Sequence, residues 1–320
     1  MERFDSLDDA YKFLVSSVLS GGRFVAPRLD RTLELTPFSF TLKNVRRRLI
    51  ENGARRWSLP LAIGEFCWHV SGSDDVRFIE YYARRWKEFA ENGSTVRGSC
   101  YGHRIFNPGA DGRSQWQRIC ELLRKDINSR RAILIFHEQG SDLLAEKDIP
   151  CASTMQFLVR DSQLHAIVFM RSNDAIWGLP YDVFLFTMFQ ELLACELNLP
   201  LGTYTHVVGS LHIYERHFAQ AERIVSLPFS PAIEMPSMEQ HTQLRDFLRL
   251  ESRLRTSASS NLQNEMRLHS YWHELLRVLE WFRHVKGAWG IHNFSHTFPS
   301  DSLYSSLLAH SDPIHAPPSS

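Results

Sequence analysis

The stretch IPCASTMQFLVRDSQLHAIVFMRSNDAIWGLPYDVFLFTMFQELLACELNLPLGTYTHVVGSLHIY, residues 149–214, decides how the chain reads. Met155 to Val159 reads as an alternating apolar run, and Leu164 to Met170 as a second apolar run, both of strand length. The second run ends in Arg171-Ser172-Asn173-Asp174. Gly178-Leu179-Pro180-Tyr181-Asp182 then leads into an apolar helix, Val183 to Leu197, whose face is read as core. Thr203 to Val208 is strand-like and delivers Gly209-Ser210-Leu211-His212-Ile213-Tyr214. A thiol (Cys151), an arginine, two aspartates, a histidine and a tyrosine thus stand at the ends of hydrophobic elements. Side chains there are held by a packed scaffold and can face a cleft.

Four motifs in this stretch resemble those of the thymidylate synthase family. Pro150-Cys151, followed by a strand ending in Gln156-Phe157, resembles the nucleophile motif. Arg171-Ser172-Asn173-Asp174 resembles the phosphate and folate motif. Gly178-Leu179-Pro180-Tyr181 precedes Asp182, where thymidylate synthases carry Asn. His212 and Tyr214 resemble the His-x-Tyr sugar motif. Order and spacing fit from roughly Arg28 to His217. The implied fold class is α/β (α+β): a large bent mixed sheet with packed helices. Residues 1–235 would form the catalytic domain, and 236–320 a helical C-terminal extension with a disordered tail.

The Asp at 182 is the most informative departure. Uracil offers an acceptor at O4 and a donor at N3, which an amide answers. Cytosine reverses the pattern, and a carboxyl group can accept from N4 and share a proton with N3. A mismatched edge leaves buried polar groups unpaired and is rejected strongly. Asp182 therefore argues for a cytosine nucleotide, as in the cytidylate and deoxycytidylate hydroxymethylases of this superfamily. The plain alternative is a helix N-cap. As a whole the chain looks most like the CMP hydroxymethylases of nucleoside-antibiotic, mildiomycin-type, pathways. Ala175 beside the motif leaves room for a 2′-hydroxyl and favours CMP over dCMP.

Composition bounds the remaining choices. The 320 residues carry a formal net charge of zero, so phosphate binding must come from a few local arginines. Five cysteines without a CxxC suit reduced thiols in the cytoplasm, and no zinc site is read. The first residues lack the basic-then-apolar form of a signal peptide, and no run approaches a membrane span.

Before the central stretch, Ser6 to Leu19 reads as a helix capped by Ser6 and ended by Gly21-Gly22. In the phosphate loop the family resemblance points to Arg28, with Arg31 as the alternative. Ser39 to Leu42 is strand-like. Val45 to Glu51 reads as basic, helical and solvated. Leu59 to Val70 is a core helix carrying Glu65, and Glu-x-x-Trp there resembles the family glutamate that orders water at the pyrimidine. A carboxylate among Leu61, Ile63, Phe66 and Cys67 needs a partner or a function. Val76 to Phe89 reads as a second helix whose aromatics are mainly core, with Trp86 a candidate wall of the folate site. Tyr101 in Cys100-Tyr101-Gly102 resembles the tyrosine that assists loss of the C5 proton. Ser114 to Asp126 is helical, and Ala132 to Phe136 a strand. The preceding Ser129-Arg130-Arg131 resembles the family segment that lends both arginines to the partner's nucleotide phosphate across a homodimer.

Beyond Phe218 the resemblance fades. Pro228, Pro231 and Pro236 mark a linker, and His241 to Leu254 and Asn261 to Val285 read as amphipathic helices. Gly287 to Phe298 is a candidate cover for the site.

The resemblance implies transfer of a one-carbon unit from 5,10-methylenetetrahydrofolate to C5 of a cytosine nucleotide, followed by hydration. Cys151 would be the nucleophile, with its thiolate favoured by Arg171. Glu65, Tyr101 and Asp182 would complete the catalytic set. Arg28, Arg130, Arg131, Arg171, Ser172, His212 and Tyr214 would hold the nucleotide, and Asp174, Trp86 and Gly178 the folate. No nucleic-acid polymer and no membrane is expected as a partner. The rivals are a thymidylate synthase acting on dUMP and a non-catalytic nucleotide-binding dimer. The latter is kept open by Ala152, Ile105 and Ser210, which replace usual family residues.

Overall fold

The computed structural model describes residues 1–27, 30–90, 93–137, 148–228, 232–257, 268–287 and 302–310. The chain opens with β1 (Glu2–Phe4) and α1 (Leu7–Gly21). Ser6 starts α1 by accepting from the Asp9 amide at 3.1 Å, and Asp8 and Asp9 complement the helix dipole. Leu7, Tyr11, Leu14, Val15 and Val18 form its buried stripe. Then come β2 (Arg23–Val25), β3 (Thr32–Leu35), β4 (Phe38–Leu42) and the core helix α2 (Leu59–Val70), capped by Ser58.

Short helices α3 (Val76–Glu80) and α4 (Tyr101–Phe106) precede α5 (Gln115–Lys125), which Ser114 and Gln117 close with a capping box. The central stretch folds as β5 (Ile133–Ile135), β6 (Ala152–Arg160), β7 (Gln163–Asp174), α6 (Gly178–Leu197) and β8 (Leu201–Tyr214). Helices α7 (Phe218–Ser226), α8 (Leu244–Thr256), α9 (Ser270–Gly287) and α10 (Ser305–His310) complete the described chain.

The strands form one mixed eight-stranded sheet, ordered β1-β4-β8-β7-β6-β5, with β3 also on β8 and β2 on β3. The axis is the parallel pair β7 and β8, joined by the α6 crossover. Strand β8 is long enough to be flanked twice: β4 pairs with residues 204–208 and β3 with 211–214. Alternation sends Met155, Phe157, Leu164, Val168, Met170, Tyr204 and Val208 into the core. Ile133 (39% exposed), Ile135 (53%) and Phe169 (44%) stay open. Among the described residues no helix is long and apolar enough to cross a membrane.

Several elements depart from the sequence reading. Residues 45–51 are neither helical nor solvated. Val45, Leu49 and Ile50 are buried, and Arg48 is wholly buried beside the carboxylate of Glu191 on α6. Glu191 also accepts from the Met238 amide at 3.0 Å, tying the segment before α8 to the same pair. A paired charge can enter a core that a lone one cannot. The helix expected over 76–89 stops at Glu80 and resumes as a 3-10 turn at Arg84–Phe89. At the break, Tyr82 lies against Gly64 of α2, stacks on Phe282 of α9 at 5.5 Å and donates to Glu251 of α8 at 2.8 Å. Helix α6 begins at Gly178, five residues earlier than read, and β8 runs on to Tyr214. Residues 288–298, the candidate cover apart from Gly287, and the expected disordered tail from Asp312 lie outside the described residues, as do 261–267 of the last long helix.

Glu191→Ala would leave the Arg48 guanidinium buried and unpaired, and should cost ~3–5 kcal/mol in urea denaturation. Replacing both partners (Arg48→Met with Glu191→Leu) should cost much less. Equal losses would show that the pair does not anchor this part of the core.

Candidate active site

The end of β7 and the start of α6 form the centre of the site. Asp174 closes the strand, and its carboxylate accepts from the amides of Ile176 (2.8 Å) and Trp177 (3.2 Å), which turns the chain into the helix. Gly178 follows. A Cβ there would stand 3.1 Å from the Asn173 amide nitrogen and 3.3 Å from an Asp182 carboxylate oxygen. Glycine thus leaves room for the bond from Asn173 Nδ2 to Asp182 Oδ2, 2.8 Å long. Asp182 is the fifth residue of α6 and not its N-cap, which is Trp177. Burial pushes its carboxyl up to about 7, against the pull of Asn173.

Cys151 stands before β6, half-buried. Arg171 wraps its loop, donating from Nε to the Pro150 carbonyl (2.9 Å) and from Nη2 to that of Ile149 (3.0 Å). The same Nη2 lies 3.8 Å from the sulfur. Arg171 does stand close enough to favour the thiolate, as expected, but it does not set the net balance. Burial dominates and pushes the thiol up to about 11; Arg171 lowers it, and Asp182, Asp148 and Asp174 raise it.

Tyr101, buried on α4, accepts from the Ala152 amide at 3.3 Å, one residue past the thiol. The ring of His69 stacks on it at 5.4 Å. Glu65 is buried on α2; burial, then Asp182, push its carboxyl well above the usual range, while a hydrogen bond with Trp86 works the other way. Burial, then Asp182 and Cys151, likewise raise Tyr101. Four side chains, from three helices and the residue before β6, therefore share one electrostatic neighbourhood: Cys151, Glu65, Tyr101 and Asp182. Trp86 joins through Glu65, packed edge-on against Trp68 at 5.4 Å.

His212 and Tyr214 lie on β8 with rings 5.1 Å apart, and His212 pairs in register with Asp174. Ser172 pairs with Ser210. Ser210, standing where the family commonly has Asp, donates to Glu34 of β3, which returns a carboxylate to this corner. Arg130 and Arg131 are exposed in the turn before β5 and touch none of this cluster among the described residues. Arg31 pairs with Glu215 at 3.0 Å. Arg28 lies outside the described residues.

The sequence reading missed two features. Asn173 accepts at Oδ1 from His206, which meets Tyr204 in turn; both lie in a strand whose alternation gave no sign of polar chemistry. Arg55 is 2% exposed, stands over Trp177 and Tyr181 at 5.3 and 5.5 Å, and leaves Nε and Nη2 without a partner among the described residues. Buried donors of this kind suit a flat ligand carrying acceptors. The only signal was the doublet Arg55-Arg56 before the core helix.

The sequence model of the thymidylate synthase family matches residues 9–255. A deoxyuridylate hydroxymethyltransferase of Bacillus phage SP01 is 27% identical over 219 residues, 64% of this chain and 56% of the phage protein. The chain thus spans just over half the length of that relative. A thymidylate synthase of Buchnera aphidicola subsp. Baizongia pistaciae (strain Bp) is 25% identical over 221 residues, 67% of this chain and 82% of the Buchnera protein.

A thiol raised to about 11 gains thiolate as pH rises. Alkylation of Cys151 by iodoacetamide, followed by peptide mass spectrometry, should climb about ten-fold per pH unit from 7 to 10. Arg171→Gln removes a cation that lowers the pKa and should slow the reaction. A plateau by pH 8 would contradict the dominance of burial.

Proposed function

The chain belongs to the thymidylate synthase family, and from that premise we propose that it hydroxymethylates C5 of a cytosine nucleotide, CMP in the first place. The observation that carries the reading is Asp182: a buried carboxyl with a proton affinity near neutrality, beside the thiol, where the resemblance puts an amide. Such a group can give a proton to N3 and accept from N4, a pairing that uracil cannot complete.

In the proposed sequence Cys151 adds to C6 and makes C5 nucleophilic, splitting one hard step into two. The one-carbon unit comes from 5,10-methylenetetrahydrofolate, whose tetrahydrofolate part leaves. Asp182 manages the N3/N4 edge as charge develops. Tyr101 and Glu65, through water, take the C5 proton. Water then adds to the exocyclic methylene on the nucleotide as the C5=C6 bond re-forms and the C6–S bond breaks, which frees Cys151 and gives the 5-hydroxymethyl product.

Arg171 and Ser172, with Arg28, hold the phosphate, and His212 and Tyr214 the sugar. Arg130 and Arg131 come from a second copy in a homodimer, where two planar guanidinium forks suit a phosphate dianion. Their exposure, and that of Ile133, Ile135 and Phe169 on nearby strands, supports this use. Asp174, Trp86 and Gly178 serve the folate side, and the unpaired nitrogens of Arg55 beside Trp177 fit a polar, flat cosubstrate there. Residues 1–235 carry the chemistry and 236–320 form the helical extension. The small side chain of Ala175 beside the motif is the sequence feature behind the choice of the ribonucleotide, with dCMP as the close alternative. The nucleoside-antibiotic pathway rests on the resemblance of the whole chain.

A second reading has its own support: the phage relative is named for deoxyuridylate, so hydroxymethylation of dUMP competes with cytosine chemistry. Methylation of dUMP, named for the Buchnera relative, is the third.

Incubation with methylenetetrahydrofolate and, separately, CMP, dCMP, UMP and dUMP, with products read by mass, should give a hydroxymethyl group on a cytosine nucleotide. Product from dUMP alone would overturn the proposal. Cys151→Ala should abolish turnover yet bind nucleotide, and Asp182→Asn should move preference towards uracil.

A further inference from the structure

Behind Asp182 runs a chain of buried polar groups. Asn173 Nδ2 donates to Asp182 Oδ2 at 2.8 Å. Asn173 Oδ1 meets His206 Nε2 at 2.9 Å, and His206 Nδ1 meets the Tyr204 hydroxyl at 2.7 Å. Asn173 is 3% exposed; His206 and Tyr204 are completely buried. His206 also packs against the ring of Phe40 at 5.4 Å, so the imidazole is held in place. Polar groups so deep must each be satisfied, or they cost stability with no return.

The donor sense of the chain follows from chemistry. Burial pushes His206 down to about 3, so its ring is neutral and carries one proton. If Asn173 uses its NH2 on Asp182, its carbonyl must accept, so the imidazole proton sits on Nε2. The bare Nδ1 then accepts from the Tyr204 hydroxyl. Every bond points the same way, from Tyr204 towards Asp182. The end point is a carboxyl oxygen, Oδ2, that is obliged to accept. A proton on Asp182 therefore belongs on Oδ1, for which no described residue provides a partner.

We infer that Asn173, His206 and Tyr204 are positioning residues that set base specificity, holding Asp182 Oδ2 as an acceptor and reserving Oδ1–H as the donor offered to the pyrimidine edge. The inference rests on the reading of Asp182 as the base-reading group. An Oδ1–H beside an accepting Oδ2 matches N3 and N4 of cytosine, whereas uracil presents N3–H to a donor and O4 to an acceptor. Without the Nε2 proton the Asn173 amide is free to turn over. It would then present its oxygen to Asp182, draw the carboxyl proton onto Oδ2, and leave Oδ1 as a bare acceptor. Discrimination would fall while the phosphate and sugar contacts stayed.

The groups that bear on Asp182 are Glu65 from α2, Tyr101 from α4, Cys151 before β6, Asp174 at the end of β7 and Tyr204 on β8. All of these ionise to anions and none is a cation that would hold Asp182 deprotonated, so CMP binding should weaken as pH rises past about 7, where Oδ1 loses its proton.

The test is calorimetric titration of the full-length protein with CMP, UMP and ribose 5-phosphate, without folate, from pH 5.5 to 8.5. The wild type should prefer CMP. His206→Leu should cut the CMP-to-UMP affinity ratio about ten-fold or more, since it frees a buried donor–acceptor pair to mismatch. It should shift the pH midpoint and leave ribose 5-phosphate binding unchanged. His206→Gln, which keeps an N–H near the place of Nε2, should restore most of the ratio. Should His206→Leu not fold, Tyr204→Phe removes the hydroxyl that fixes the tautomer and should lower the ratio in the same direction. A wild type indifferent to the base would overturn the Asp182 reading itself. A cytosine-selective wild type whose ratio survives the relay variants would overturn this inference alone.

Discussion

A carboxyl group taken out of water must be neutralised or hydrogen-bonded, and the contact between Asn173 and Asp182 answers that demand at the turn from β7 into α6. The rest of the site depends on it. Gly178 gives the pair room, since a Cβ there would stand tightly against both partners. Asp174 is used in the turn, holding two amides, so that the helix starts early enough to carry Asp182 inward. The parallel pairing of β7 with β8 sets His212 beside Asp174, while His206, opposite Val168 in the same register, meets Asn173 through its side chain. One short bond thus couples the sheet register, the helix start and the group best suited to reading a base.

The same burial that suits Asp182 to the proposed base reading works against Cys151 as the proposed nucleophile. Low local polarity raises every acid in the cluster: the thiol, Glu65, Tyr101 and Asp182. Arg171 opposes this at Cys151 but spends two donors on the carbonyls of residues 149 and 150. It is first a clamp on the loop and only second a counter-ion. A thiol in that state is mostly protonated at rest. In the proposed reaction its proton has to leave when the ring is attacked, and the tendency of the neighbouring acids to stay protonated limits where it can go. Neutral acids also repel an incoming phosphate less than carboxylates would, so burial aids binding where it hinders activation.

What could be read in the chain beforehand followed from periodicity and short-range chemistry. The apolar runs Met155 to Val159 and Leu164 to Met170 marked β6 and β7, and Ser6 announced α1 because capping is local. Cys151, Glu65, Tyr101 and Asp182 were legible through motifs, and they share a neighbourhood in the fold. What escaped notice depends on partners distant in sequence. Arg48 looked like surface charge in a basic run; only Glu191, 143 residues on, makes its burial tolerable. His206 stood at a core position in an alternating strand, and nothing nearby shows that a buried Asn awaits it. The break after Glu80 has the same origin, since Tyr82 is held by Gly64, Glu251 and Phe282 from three other helices.

That last contact bears on what the C-terminal helices do. Gly64 immediately precedes Glu65, and a Cβ at Gly64 would lie only 2.5 Å from the Tyr82 ring. The ring therefore presses directly on the backbone that carries Glu65. Tyr82 is fixed in turn by the Glu251 carboxylate, which Arg255 holds at 2.9 Å while its guanidinium covers Phe78 at 3.7 Å. Helices α8 and α9 thus brace α2 from behind. Well-packed interiors transmit strain because they contain few voids to absorb it. Loosening this brace would first be felt at the position of Glu65, well before the sheet that carries Cys151 and Asp182 was disturbed.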